Sequence, residues 1–253
     1  MANKVRSTVD RGVATITLAD PERRNVLSAL LITELVTAID QAEADETVRV
    51  VVVTNEGGTF CAGADLSERS AIDDADDVPD LVEVFRRIRQ SPKPFVGRIS
   101  GHAVAGGMGL AAAMDLSVVV DTAKFGFTEV RLGLAPAVIS VICLPKMRPA
   151  EAAAAFLRGN RFDGIEAARL GLVTHAVPAE DLDTTVAEIV ADLMAGGPAA
   201  LGACKLLTTR LPTLTEDQAF AWTGQLSAEL FTSDEGKEGM AAYLAKRPPS
   251  WLG

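Results

Sequence analysis

Apolar and polar positions alternate over residues 3–18, and Gly12 interrupts the alternation, which predicts two strands paired as a hairpin. The period then changes. Leu31, Leu35, Ala38, Ile39 and Ala42 recur at three and four residues, predicting a helix to about Ala44 with Ser28 as its N-cap. Val48 to Thr54 is a β-branched run, the pattern of a strand covered on both faces. Helical spacing returns at Leu81 to Arg89, followed by strand-like stretches at Pro94 to Ile99 and Leu116 to Val120. From Pro149 onward the pattern is mostly helical, apart from a short strand at Val173–Val177. Pro178, Gly196-Gly197-Pro198 and Leu211-Pro212 separate the later helices, which cover 199–209, 215–231 and 234–245. This alternation predicts an α/β fold with crossover connections and a largely buried sheet. A soft boundary falls near residue 195. Residues 1–195 form the expected core, and the helices of 196–253 are too few to build a core alone. They are expected to pack on the main body or on another subunit.

The connecting segments carry the chemistry. Asp20 to Asn25 is a turn, and Asn55 to Leu66 (NEGGTFCAGADL) is a glycine-bearing loop. Ser67 to Pro79 holds Asp73, Asp74, Asp76 and Asp77 and few apolar residues, so it is expected to be a solvated loop with lid-like mobility. The most informative stretch is Ser100 to Asp115, SGHAVAGGMGLAAAMD. A small-residue turn at Ala103 to Gly107 runs into an Ala-rich helical run, Leu110 to Met114. Gly106 and Gly107 are expected to take unusual φ values and to let another molecule approach the main chain. The first-turn N–H groups of a helix there would bind an anion, or an oxygen that becomes one during reaction. Nucleotide motifs fail on spacing: Gly107-Met108-Gly109 lacks the third glycine of a dinucleotide fingerprint, and no Gly-Lys-Ser/Thr opens the helix.

Composition narrows the partners. The chain has 253 residues, 48% of them hydrophobic, enough for one large domain or one domain with an appendage. A net charge of -10 argues against nucleic acid and against an anionic membrane surface. A phosphorylated ligand must then be held by local basic residues and backbone amides. Cys61, Cys143 and Cys204 form no cluster and read as reduced packing residues; His102 and His175 read as structural, so no metal site is expected. No leader or long apolar span is seen, and the protein is expected in the cytoplasm.

Three segments together resemble one family. They are Phe60 to Leu66 (FCAGADL), the turn and helix at 101–115, and Phe125 to Pro136 (FGFTEVRLGLAP). Their content and order are similar to the crotonase, or enoyl-CoA hydratase/isomerase, superfamily. The resemblance spans nearly the whole chain, including Pro21 to Asn25, Gly164 to Val173 and Glu238 to Pro248. It implies a crotonase-like spiral of repeated ββα units with a helical C-terminal trimerisation region, assembled as a homotrimer or dimer of trimers. It also implies an acyl-CoA thioester as substrate, with coenzyme A as part of the substrate and no separate cofactor. The thioester oxygen would be gripped by the backbone N–H groups of Ala64 and Gly106. Ala62, Gly63, Asp65 and Leu66 would cradle the adenine end of CoA, and Gly107 and Gly109 would lie along the substrate. Arg23 or Arg24, and Lys246 across a subunit contact, are the implied phosphate ligands.

The departure from the family pattern falls at Gly109. Hydratases of the family carry two catalytic glutamates; here the first position is Gly109 and the second is Glu129. Asp115 falls at a structural position at the helix end. Glu129 sits among apolar neighbours, where burial raises a carboxyl pKa and suits it to pass a proton. A structural ion pair with Arg131 or another cation is the competing role for Glu129. The run Glu129 to Ser140 resembles that of bacterial methylglutaconyl-CoA-type hydratases, which puts an enoyl-CoA hydratase (a hydro-lyase) first. A Δ3,Δ2-enoyl-CoA isomerase, which needs one base, comes second. A non-catalytic acyl-CoA-binding protein is the third alternative.

Overall fold

The computed structural model describes residues 3–70 and 81–252. The acidic stretch at 73–77, expected to be a lid-like loop, lies outside the described residues. Strands β1 (Val5–Asp10) and β2 (Val13–Leu18) pair antiparallel as the alternation predicts. The helix α1 (Ala29–Ala44) follows, with the Ser28 hydroxyl accepting from the Leu31 N–H at 3.3 Å. It buries Leu31, Ile32, Leu35, Ala38, Ile39 and Ala42, the expected stripe with Ile32 added.

Each later turn of the chain lays down one strand in each of two sheets. The strand β3 (Val50–Asn55) is followed by β4 (Thr59–Cys61), the short helix α2 (Leu66–Arg69) and α3 (Leu81–Gln90). Next come β5 (Phe95–Ile99), β6 (His102–Val104) and α4 (Gly106–Ala113). The third turn holds β7 (Leu116–Val120) and β8 (Lys124–Gly126), then α5 (Ala137–Cys143) and α6 (Pro149–Arg158). The strand β9 (Phe162–Asp163), α7 (Gly164–Arg169) and β10 (His175–Val177) close the spiral. The larger sheet runs β1-β2-β3-β5-β7-β10, parallel from β2 onward; the smaller runs β4-β6-β8-β9. This is the crotonase-type ββα spiral. Helix α8 (Leu182–Ala195) covers β3, β5 and β7, and every residue of β3 is buried, as a strand covered on both faces must be.

The smaller sheet replaces what the sequence suggested was loop at 55–66 and turn at 103–107. Its strands have two or three residues each, too short to display any period. Buried Asn25 ties the loop to the body: its side-chain amide donates to the carbonyls of Glu56 (3.1 Å) and Thr59 (2.8 Å), and its oxygen accepts from Asp20 N–H (2.8 Å).

Past residue 195 come α9 (Pro198–Arg210), α10 (Glu216–Thr232) and α11 (Asp234–Leu244). Thr215 and Gln218 form a capping box on α10, and Ser233 caps α11. Helix α9 packs on the body through Lys205, whose ammonium donates to Ile88 O (2.6 Å) and Lys93 O (3.0 Å) and pairs with Asp115 (2.7 Å). Asp115 also accepts the Phe95 N–H at 2.7 Å, so its structural role at the end of α4 is visible. By contrast α10 buries no residue fully, and Phe220 (71%), Phe231 (65%) and Tyr243 (84%) stand exposed on the chain. Among the described residues, no single helix is long and apolar enough to cross a membrane.

Candidate active site

The turn between β6 and α4 differs from expectation in an instructive way. The unusual backbone angle falls on Ala105 (φ 51°, ψ −126°), while Gly106 and Gly107 have no positive φ. A non-glycine residue there carries strain of about 1–3 kcal/mol, which surrounding structure must hold in place. It is held on both sides: Ala105 N–H donates to Gly126 O at 3.0 Å, and Ala105 O accepts from Met108 N–H (2.9 Å) and Gly109 N–H (3.2 Å). The glycines allow close packing within the chain. A Cβ on Gly107 would lie 2.1 Å from Cys61 O, and one on Gly106 would lie 3.0 Å from a methyl of Leu27.

The same packing brings the Ala62–Leu66 loop against the start of α4. The Gly63 side-chain direction (φ 87°) points at Gly106 N, 3.1 Å from an added Cβ, and at the Ala105 methyl. Leu27 N–H donates to Gly63 O at 2.8 Å and Ala62 N–H donates to Arg24 O at 3.1 Å, fixing the loop from its other side. Among the described residues, the N–H groups of Ala64 and Gly106 donate to nothing. The loop bearing the unpartnered Ala64 N–H thus packs against the start of α4, whose Gly106 N–H is also unpartnered. Asp65 is spent within the loop: it accepts from Ser67 N–H (3.1 Å) and Ser67 hydroxyl (2.5 Å) and pairs with Arg23. Those contacts, the Ser67 hydroxyl foremost, hold its carboxyl below the usual range. Leu66 is 52% exposed, and Arg24 remains an exposed cation without an ion pair among the described residues. Lys246, also exposed, follows α11 in a segment that Trp251 and Arg49 tie to Ala195 and Gly196.

Glu129 opens a 3-10 turn, Glu129–Leu132, three residues beyond the Gly126 carbonyl that anchors Ala105. It is half-buried, and its Oε2 is enclosed without a hydrogen-bond partner. Desolvation pushes its pKa upward. The ion pair with Arg131 does not form, because that guanidinium donates to Gly159 O (2.8 Å) and Arg158 O (3.3 Å). Nearby Cys143 is buried and its thiol is pushed up to about 12, so it stays a protonated packing group; so does Cys61. Cys204, expected to be buried like these two, is exposed.

Two residues that the sequence did not single out decide the shape above α4. A Cβ on Gly109 would lie 2.3 Å from Ile139 Cγ2 and 3.1 Å from Phe85 Cζ. Ile139 from α5 and Phe85 from α3 therefore occupy the space a longer side chain at 109 would need. The glycine itself was the available signal, but its partner 30 residues on was not. Replacing Gly109 with Glu should destabilise the fold by about 1–3 kcal/mol through overpacking. Thermal unfolding of Gly109→Glu, and of the same change with Ile139→Ala, checks this: the second substitution should recover part of the loss.

Two unpartnered amides and a half-buried carboxylate whose enclosed Oε2 has no partner thus lie on the β6–α4 turn, the loop packed against it and the turn after β8. The sequence profile of the family described as enoyl-CoA hydratase/isomerase matches residues 8–253, and the chain belongs to that family. It is 30% identical to enoyl-CoA hydratase EchA19 of Mycobacterium tuberculosis (strain ATCC 25618 / H37Rv), covering 93% of this chain and 91% of that one. It is 31% identical to the 1,2-epoxyphenylacetyl-CoA isomerase of Escherichia coli (strain K12), over 100% of both chains. Among solved structures, the enoyl-CoA hydratase of Mycobacterium smegmatis superposes with a TM-score of 0.93 at 30% identity, covering 99% of each chain.

Proposed function

We propose that the chain is an enoyl-CoA hydratase that works with one carboxylate. The observation that carries this is the enclosed, unpartnered Oε2 of Glu129, combined with the absence of a carboxylate at Gly109. The ionised carboxylate takes a proton from water, and the resulting hydroxide adds to the β-carbon of the 2-enoyl thioester. Electron density moves onto the thioester oxygen, which the N–H groups of Ala64 and Gly106 hold as an enolate. Glu129 then returns its proton to the α-carbon, so one water is added and the base is regenerated. The backbone donors suit this step because they are already fixed by Ala105 and Gly63 before charge develops. Exposed Arg24 would meet a CoA phosphate, and Lys246 would serve the same role from a neighbouring subunit. The exposed Phe220, Phe231 and Tyr243 support self-association as a homotrimer or dimer of trimers.

A second reading has its own observation. Ile139 fills the space over Gly109, and an apolar wall there favours moving a proton within the substrate over holding water, which is Δ3,Δ2-enoyl-CoA isomerisation. Parallel assays with a 2-enoyl-CoA and a 3-enoyl-CoA separate the two. Loss of the conjugated thioester absorbance from the first substrate is the expected result. A gain of that absorbance from the second, with no change in the first, replaces the hydratase by the isomerase. Tight binding of both without turnover makes the chain an acyl-CoA-binding protein.

A further inference from the structure

Two neighbouring cavities lie outside the amide turn and Glu129. The larger, about 1040 Å3, runs between α3, α5, α9 and α10 and is walled by Phe85, Val138, Val141, Leu206, Leu226 and Leu230. The smaller, about 520 Å3, extends from the C-terminal end of α4 to Lys146 and Cys204. Arg89 and Lys205 line both.

Their charges are unbalanced. In a chain with 34 acidic and 24 basic residues, the smaller cavity presents Arg89, Lys146 and Lys205 against Asp115 alone. Lys205 is spent on Asp115 and two carbonyls. That leaves Arg89 and Lys146, whose side chains make no ion pair or hydrogen bond among the described residues. Both line the smaller cavity, and desolvation, the main cause, holds the Lys146 ammonium below its usual value, with Cys143 and Asp115 opposing the shift and the Arg89 charge adding to it. Arg89 is half-buried and Lys146 exposed on the chain; cations in proximity repel one another unless an anion joins them, and a guanidinium beside an ammonium matches a carboxylate. The apolar wall that starts at Arg89 matches a hydrocarbon chain.

We propose that Arg89 and Lys146 bind the carboxylate of a ligand whose apolar chain occupies the larger cavity. Two sources carry that chemistry: a free fatty-acid anion, or an acyl group with a carboxylate at its far end. The probe for the first is decanoate, with decanol as the uncharged control, titrated calorimetrically into the full chain and into Arg89→Gln/Lys146→Gln. For the second, KM is compared between a 2-enoyl-CoA and the same substrate bearing a terminal carboxylate. The expected result is at least a tenfold preference for the charged partner in one arm, lost in the double variant while the uncharged partner behaves as before. Preference in the decanoate arm alone identifies a free anion; preference in the KM arm identifies the acyl group. The acyl arm rests on the hydratase reading, and absence of turnover defeats that reading without touching the decanoate result. No preference in either arm, or a preference that survives the double variant with an unchanged melting curve, overturns the proposal. So does a wild-type chain whose cavities are closed by a second copy, seen as a smaller assembly and new decanol binding in Leu226→Ser.

Discussion

Glu129→Gln should lower kcat about 10²–10⁴-fold, the range lost with a general acid–base group, while acyl-CoA binding stays nearly unchanged. The amide keeps the size and shape of the carboxyl within the 3-10 turn but cannot accept a proton from water. The wild-type pH profile follows from the same desolvation. Because burial raises the Glu129 pKa, kcat/KM should fall with decreasing pH through an inflection above the ordinary glutamate value of 4.5. The variant should lack that limb. Stability runs in the opposite sense. A carboxyl with a raised folded-state pKa favours folding below its unfolded value, and that contribution is lost as pH rises through the folded pKa. At neutral pH the glutamine variant is therefore expected to melt no lower than the wild type, which separates a chemical defect from a folding defect.

Gly107→Ala should be strongly damaging to both fold and activity. The new Cβ would lie 2.1 Å from Cys61 O and 2.7 Å from Cys61 C, and neither is a flexible side-chain end that can step aside. Either α4 or β4 must move. The first carries the Gly106 amide, and the second leads into the Ala64 amide three residues later. The expected stability loss is about 1–3 kcal/mol from overpacking. If the two amides hold the thioester oxygen as proposed, misplacing one of them should lower kcat a further ~10²–10³-fold. Gly58→Ala is the control, since an added Cβ there meets nothing within 4 Å. It should leave kcat and melting temperature close to wild type.

Much of the fold is legible in the chain because long elements display their period. The α1 stripe, the fully buried β3 and the capped C-terminal helices emerge within about two residues of their observed bounds. The smaller sheet is not legible, since β4, β6, β8 and β9 are held by pairing with distant neighbours and not by local pattern. At the site, the family resemblance points to the Ala64 and Gly106 amides, which the structure leaves without acceptors among the described residues. The strain on Ala105 could not be read, because glycine is the residue expected to carry positive φ and two glycines stood beside it. Nor could the Ile139 cover on Gly109, a contact between residues 30 apart. Lys205 shows the same limit: nothing in the α9 sequence marks one lysine as buried and bound to Asp115.

The central claim is that one carboxylate both activates water and delivers the proton, so both must reach the substrate from the side Glu129 occupies. Hydration of a 2-enoyl-CoA in deuterated water, with the product resolved by proton NMR, tests it most directly. The account predicts deuterium at the α-carbon on the same face as the new β-hydroxyl. Deuterium on the opposite face, or an even mixture of the two, would mean that a second group protonates the α-carbon and would contradict a single-glutamate hydratase.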